Sequence, residues 1–262
     1  MKTEATVNQN VKINGSGTAG GGIYDEVKIN GSGKITGDIE CRVLKIDGSG
    51  KVQGDVKSES VKFNGSGSFE GNVYVTKMKI NGSTSVLKNA IVDDLEINGS
   101  SSFKQDLQVG NCEINGISKV YGKVTGGEIK VNGMLKVKES CEVERFISYG
   151  AVEIEGLLSA DHIELNLDYH SSAKEIGGER ISVRQYSSHK MIKHIINFFR
   201  QRTDLLEADL IEGDEIDLEI TKAKLVRGKK IVIGEKCEIE RIEYTDSIEI
   251  HPSSKVKESV KI

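Results

Sequence analysis

The sequence predicts a parallel β-solenoid, on three observations. These are a fixed period of 17 residues, a glycine at one place in every period, and apolar–polar alternation of strand type between those glycines. With the Ile of the recurring Ile-Asn-Gly as position 1, copies begin at Ile13, Ile29, Ile46, Phe63, Ile80, Ile97, Ile114 and Val131. The first step is 16 residues and the rest are 17. Position 3 is Gly15, Gly31, Gly48, Gly65, Gly82, Gly99, Gly116 and Gly133, and one more step reaches Gly150. Helical solenoids need units of about 33 to 47 residues, so this unit is too short for them.

The elements follow in chain order. Residues 1–10, MKTEATVNQN, are polar and are expected to form a flexible arm. Residues 11–186 read as stacked triangular coils of three short strands each. Position 7 is Ile35, Val52, Phe69, Val86, Phe103, Val120, Val137 and Ile154. Position 11 is Ile23, Ile39, Val56, Val73, Ala90, Leu107, Val124, Cys141 and Leu158. Position 16 is Leu44, Val61, Met78, Leu95, Cys112, Ile129, Phe146 and Ile163. These rows are the expected core. At the corners, the position-3 glycine is expected to supply φ > 0. The asparagine before it (Asn14, Asn30, Asn64, Asn81, Asn98, Asn115, Asn132) is expected to tolerate the left-handed region and bond locally. A second glycine at position 9 (Gly37, Gly54, Gly71, Gly122, Gly156) marks another corner.

The wording changes after residue 160 but the grammar persists. Residues 141–154, CEVERFISYGAVEI, align without a gap to 237–250, CEIERIEYTDSIEI, and 161–183 resemble 214–233. Residues 205–262 therefore read as further solenoid coils. Between the two parts, 187–204 reads as an inserted amphipathic helix. Over 188–201, Met191, Ile192, Ile195, Ile196, Phe198 and Phe199 share one face, opposite a polar face with Lys190, Lys193 and Arg200. Such a helix packs against the solenoid or docks on a membrane surface or partner, with Met191, Ile192, Lys193, Ile195, Ile196, Phe198, Phe199 and Arg200 as its candidate contacts.

Composition narrows the function classes. Apolar residues are 37% and charged residues 29%, enough for a core. There are 29 Gly against 1 Pro, which suits regular corners rather than a linker. A net charge of −4 with interspersed signs offers no basic field for nucleic acid. The N-terminal residues lack a secretory pattern and no run is long enough to span a bilayer, so a cytoplasmic protein is expected. Cys41, Cys112, Cys141 and Cys237 have no metal-type spacing and fall on inward positions, with Cys237 matched to Cys141. His162, His170, His189, His194 and His251 lie outside the Ile-Asn-Gly array and share no motif with a carboxylate pair. No catalytic residue, cofactor or metal site is predicted, and the Asn-Gly-Ser triplets read as corners rather than glycosylation sites.

The coils of pattern INGSGxhxGxhxxxxhx (h, apolar) from 13 to 147, with the later strings IEGDEIDLE (211–219) and VRGKKIVIGEKCEIERIEY (226–244), resemble the bactofilins, bacterial polymer-forming cytoskeletal proteins, in the form found in Gram-positive rods. The resemblance implies a right-handed β-helix that assembles end to end without nucleotide or metal, as a scaffold in cell shape, envelope growth or motility. It implies self-association, with a paralogous bactofilin or a membrane surface as further partners. The chain departs from the family in its length, its internal helix and the lack of a short apolar-basic N-terminus.

The residues add their own argument for assembly. A solenoid exposes apolar side chains and unpaired backbone only at its two ends. Val11, Ile13, Val256, Val260 and Ile262 are the residues expected at those ends, and stacking on another molecule would cover them. Two other classes compete: a non-polymerising solenoid that recruits an envelope or motility protein, and a hexapeptide-repeat acyltransferase. IVIGEKCEI (231–239) reads like a hexad turn, but the acyltransferases use 18-residue coils and a catalytic histidine between them, and no histidine interrupts the array here. The chain is therefore read as a non-enzyme.

Overall fold

The computed structural model describes residues 9–186 and 205–262. By its internal contacts the chain divides into two compact units, Met1–Lys123 and Val124–Ile262. The first begins with β1 (Val11–Ile13), β2 (Ser16–Ile29) and β3 (Ser32–Ile46). Four- and eight-residue strands then alternate: β4 (Ser49–Val52), β5 (Val56–Phe63), β6 (Ser66–Phe69), β7 (Val73–Ile80), β8 (Ser83–Val86), β9 (Ala90–Ile97), β10 (Ser100–Phe103), β11 (Leu107–Ile114) and β12 (Ile117–Val120). Each pairs in parallel with its counterpart one coil on, so Val56 lies beside Val73, Val73 beside Ala90 and Ala90 beside Leu107.

Strand burial explains how a coil closes. In β9, Ala90, Val92, Leu95 and Ile97 are buried, while Asp93 and Asp94 both face outward. Strict alternation would send every second residue inward. The doubled outward pair is the third corner, turned inside a continuous hydrogen-bonded strand. Positions 1, 7, 11, 13 and 16 point inward, filling the interior with rows such as Ile29, Ile46, Phe63, Ile80 and Ile97, each fully buried. The rings of Phe63 and Phe69 meet edge to face, centroids 5.7 Å apart. Position 5 also faces inward, although Gly, Ser and Thr do not read as core residues. Ser101 and Ser118 are buried there and their hydroxyls bond at 2.9 Å.

The glycine corners line up, but for a reason other than the expected one. Of the position-3 glycines only Gly15 has a left-handed φ, +87°. The others are glycine because each coil's corner sits on the corner below. A Cβ on Gly82 would lie 1.9 Å from the Gly65 carbonyl oxygen, and one on Gly99 2.0 Å from that of Gly82. Position 9 behaves alike: a Cβ on Gly54 would lie 2.2 Å from the Gly37 carbonyl carbon. Close stacking, not turn conformation, makes glycine recur. The asparagines before these glycines likewise keep ordinary φ values.

Ile23 is a second correction. A register shift between Gly20 and Gly22 sets Gly22 beside Ile39 and Ile23 beside Glu40. Ile23 thus leaves the inward row and is 56% exposed. The 16-residue first step takes its irregularity here rather than at the Ile-Asn-Gly corner.

The second unit holds β13 (Val124–Val131), β14 (Met134–Val137), β15 (Cys141–Ser148), β16 (Ala151–Ser159), β17 (His162–Leu167), β18 (Ser171–Gln185), β19 (Leu206–Leu218), β20 (Thr221–Ile233), β21 (Glu238–Ile250) and β22 (Lys255–Lys261), again paired in parallel. The coil length drifts: Val124 faces Cys141, His162 faces Arg180, and Leu206 faces Thr221. The predicted helix and its candidate residues lie outside the described residues. Across that segment β18 still lies against β19, with Ile181 beside Ile216, so the coils after residue 205 continue the stack of this unit.

The alignment of 141–154 with 237–250 does not survive as a structural equivalence. Cys141 pairs with Leu158, and that row continues through Ile176, Ile211 and Val226 to Ile242. Cys237 directly precedes Glu238, the partner of Lys222, and so belongs to the row of Thr221 on another face. All faces ask for the same alternation, so similar strings fit different ones.

Candidate functional site

The exposed corner of the first unit carries a ladder of side-chain amides. Asn30 Nδ2 donates to Asn14 Oδ1 at 2.6 Å, Asn64 to Asp47 at 2.5 Å, Asn81 to Asn64 at 2.7 Å, Asn98 to Asn81 at 2.9 Å and Asn115 to Asn98 at 2.9 Å. An amide has both a donor and an acceptor, so identical residues stacked in register satisfy one another. Asp47 is the one carboxylate rung; the Asn64 hydrogen bond is the main cause holding its carboxyl below the ordinary value, with help from Lys45. Asp55 is lowered chiefly by the backbone N–H of Asn72, which it accepts at 2.7 Å.

The candidate interface residues lie on the outermost described coils. Val11 and Ile13 pair with Val27 and Ile29, extending the rows of positions 16 and 1. Val256 pairs with buried Ile239 and extends the position-7 row. Among the described residues no further strand lies on their outer side. Val260 pairs with Glu243, while Ser259 lies beside buried Ile242, so the inward place there belongs to the serine. Ile262 donates its backbone N–H to the Tyr244 carbonyl and is 62% exposed. Ile250, 41% exposed on the same coil edge, escaped the sequence reading because it looked like an ordinary inward residue of β21.

All four cysteines are buried and none forms a disulfide among the described residues. Burial pushes the Cys41 and Cys237 thiols up, and Cys112 up to about 12, so these three are not poised as nucleophiles. His162 approaches Arg180 at 3.4 Å and His251 approaches the Ser253 hydroxyl at 2.9 Å, both exposed. His189 and His194 lie outside the described residues. An open groove of about 900 Å3 crosses the second unit, floored near Ala173, Ala208 and Ala223 and walled by charged rows that include Lys222 and Lys224. It gathers ion pairs rather than a nucleophile beside a base. No helix among the described residues is long and apolar enough to cross a membrane.

Residues 1–104 match the family model described as Bactofilin, polymer-forming cytoskeletal. Two curated proteins of Bacillus subtilis (strain 168) are similar to this chain, and both are described as uncharacterized. YhbF is 41% identical over 108 residues, 41% of this chain and 42% of that protein. YhbE is 40% identical over 111 residues, 42% of this chain and 45% of that protein. The match therefore spans less than half the length of either relative. No solved structure matches. With its stacked Asn-Gly corners and in-register parallel coils, the chain is similar over residues 1–104 to the bactofilin family.

Proposed function

We propose that this protein is a non-enzymatic structural scaffold that polymerises by stacking the edge of one solenoid on another. The observation that carries this reading is the continuation of the inward apolar rows to the outermost described coils, at Val11, Ile13 and Val256, with a strand on one side only. A parallel β-edge offers unpaired N–H and C=O groups together with those apolar side chains, and a second coil satisfies both at once. The family's polymer-forming, cytoskeletal description supports the same reading. Further copies of the chain, a paralogous bactofilin and a membrane surface are the partners it brings, and a cytoplasmic site of action in cell shape, envelope growth or motility follows from it.

Negative-stain microscopy and sedimentation of the purified chain at high micromolar concentration test the proposal. Filaments or concentration-dependent oligomers are expected. Ile13→Lys and Val256→Lys should weaken them while circular dichroism stays that of a β-protein. A monodisperse monomer across salt concentrations would leave a non-polymerising recruitment module as the better reading.

A further inference from the structure

In-register parallel stacking places each outward side chain over its counterpart in the neighbouring coil, about 4.8 Å away. The first unit meets this constraint with neutral residues that pair with themselves, asparagine over asparagine. The last coils of the second unit meet it by alternating charge. β19 carries six carboxylates and no base, and β20 five bases and no carboxylate. β21 carries five carboxylates against Arg241, and β22 three lysines against Glu258. One row reads Glu207, Lys222, Glu238, Lys255 from coil to coil. Ion pairs cross each boundary: Lys224–Asp209 at 2.7 Å, Arg227–Glu243 at 2.8 Å, and Lys255–Glu238 and Lys257–Glu240 at 3.3 and 3.2 Å.

The last described coil is a basic one. The Lys255 and Lys257 side chains, 82% and 75% exposed, have carboxylates on one side and no described strand on the other. Exposed Ile250 and Ile262 lie with them. We propose that the β22 edge is a docking surface for a second β-solenoid whose own edge coil is acidic, with carboxylates placed to meet Lys255, Lys257 and Lys261 and an apolar residue to meet Val256. The same edge of a second copy is disfavoured, because it sets lysine against lysine. The first described coil of a second copy fits poorly too: residues 9–24 carry no carboxylate, and Asp25, in the next coil and stacked on Gln9, is already held by Arg42 at 2.7 Å. This inference rests on the edge-stacking reading and gives one edge a partner chemistry.

The probe is the chain itself with its edge inverted, the triple variant Lys255→Glu, Lys257→Glu, Lys261→Glu. It is mixed with the unaltered protein and followed by sedimentation velocity at about 50 mM and about 500 mM salt. A one-to-one complex is expected at low salt, about tenfold tighter than the self-association of either protein alone and lost at high salt. No gain on mixing overturns the proposal, as does equal self-association of the unaltered chain through this edge. Circular dichroism checks the triple variant, since its glutamates face Glu238 and Glu240. A second variant with glutamine at the same three positions avoids that conflict. It should self-associate more tightly than the unaltered chain, and unchanged self-association counts against the inference. Filaments that persist without a mixed complex sink only this proposal, whereas a chain that never stacks sinks the scaffold reading as well.

Discussion

Gly82→Ala tests the physical basis of the repeat. The added Cβ would sit 1.9 Å from the Gly65 carbonyl oxygen, 2.8 Å from its carbonyl carbon and 3.0 Å from its nitrogen, all backbone atoms. No rotamer relieves this, so the two coils must part at the corner. That corner holds the Ser83 N–H to Gly65 carbonyl bond at 2.8 Å and the Asn81–Asn64 amide bond at 2.7 Å. Overpacking costs about 1–3 kcal/mol and a weakened hydrogen bond about 1 kcal/mol. Replacing glycine also stiffens the unfolded chain, which returns about 0.4–1 kcal/mol. The net expectation is a loss of about 2–3 kcal/mol. Gly20→Ala is the control: that residue is exposed, has no left-handed φ, and a Cβ there meets nothing within 4 Å. It should be neutral or slightly stabilising. Urea unfolding followed by circular dichroism measures both. A Gly82→Ala midpoint equal to that of Gly20→Ala, at unchanged slope, would refute the close-stacking explanation.

Three further outcomes are expected. Asn81→Ala removes a donor to Asn64 and the acceptor used by Asn98, and should cost about 1–2 kcal/mol in the same assay; Asn81→Asp, which imitates the natural rung Asp47, should cost less at pH 7. Stability should fall in acid, because Asp47, Asp55, Glu96 and Glu243 all have folded pKa values below their ordinary ones. Their contribution is complete above the unfolded values, near pH 4, and disappears as pH drops through the folded ones. Urea midpoints from pH 7 down to pH 2 check the sign, and a rise below pH 4 would contradict it. Finally, a thiol reagent at pH 8 should leave Cys41, Cys112, Cys141 and Cys237 unmodified until denaturant is added, since all four are buried; rapid native labelling of Cys112 would show that its coil opens.

Much of the fold was legible because an in-register stack writes its own period. A residue inside one coil is repeated inside the next, so Ile29, Ile46 and Phe63 declared a row, and so did Ile35, Val52 and Phe69. Position 5 stayed hidden because Gly33, Gly50, Thr84 and Ser118 are not apolar, though they face the interior. The expected interface rows were partly legible: Val256 holds an inward place, whereas Val260 lies beside Glu243. Charge alternation in β19 to β22 was present in the residues all along, but its meaning depends on which residue lies over which. Coil lengths that vary in the second unit conceal that registration.

The sequence by itself determined the class of architecture, the corners, and the composition of the main core rows, because local alternation and a constant period depend only on order along the chain. Contacts between coils decided the rest. They turned Ile23 outward, separated Cys237 from the row of Cys141, and made glycine necessary where a neighbouring carbonyl lies under 2.5 Å from any added Cβ. They also set lysine over glutamate at the last coil. Those outcomes turn on the distance between residues far apart in order, and that distance exists only once the coils are stacked.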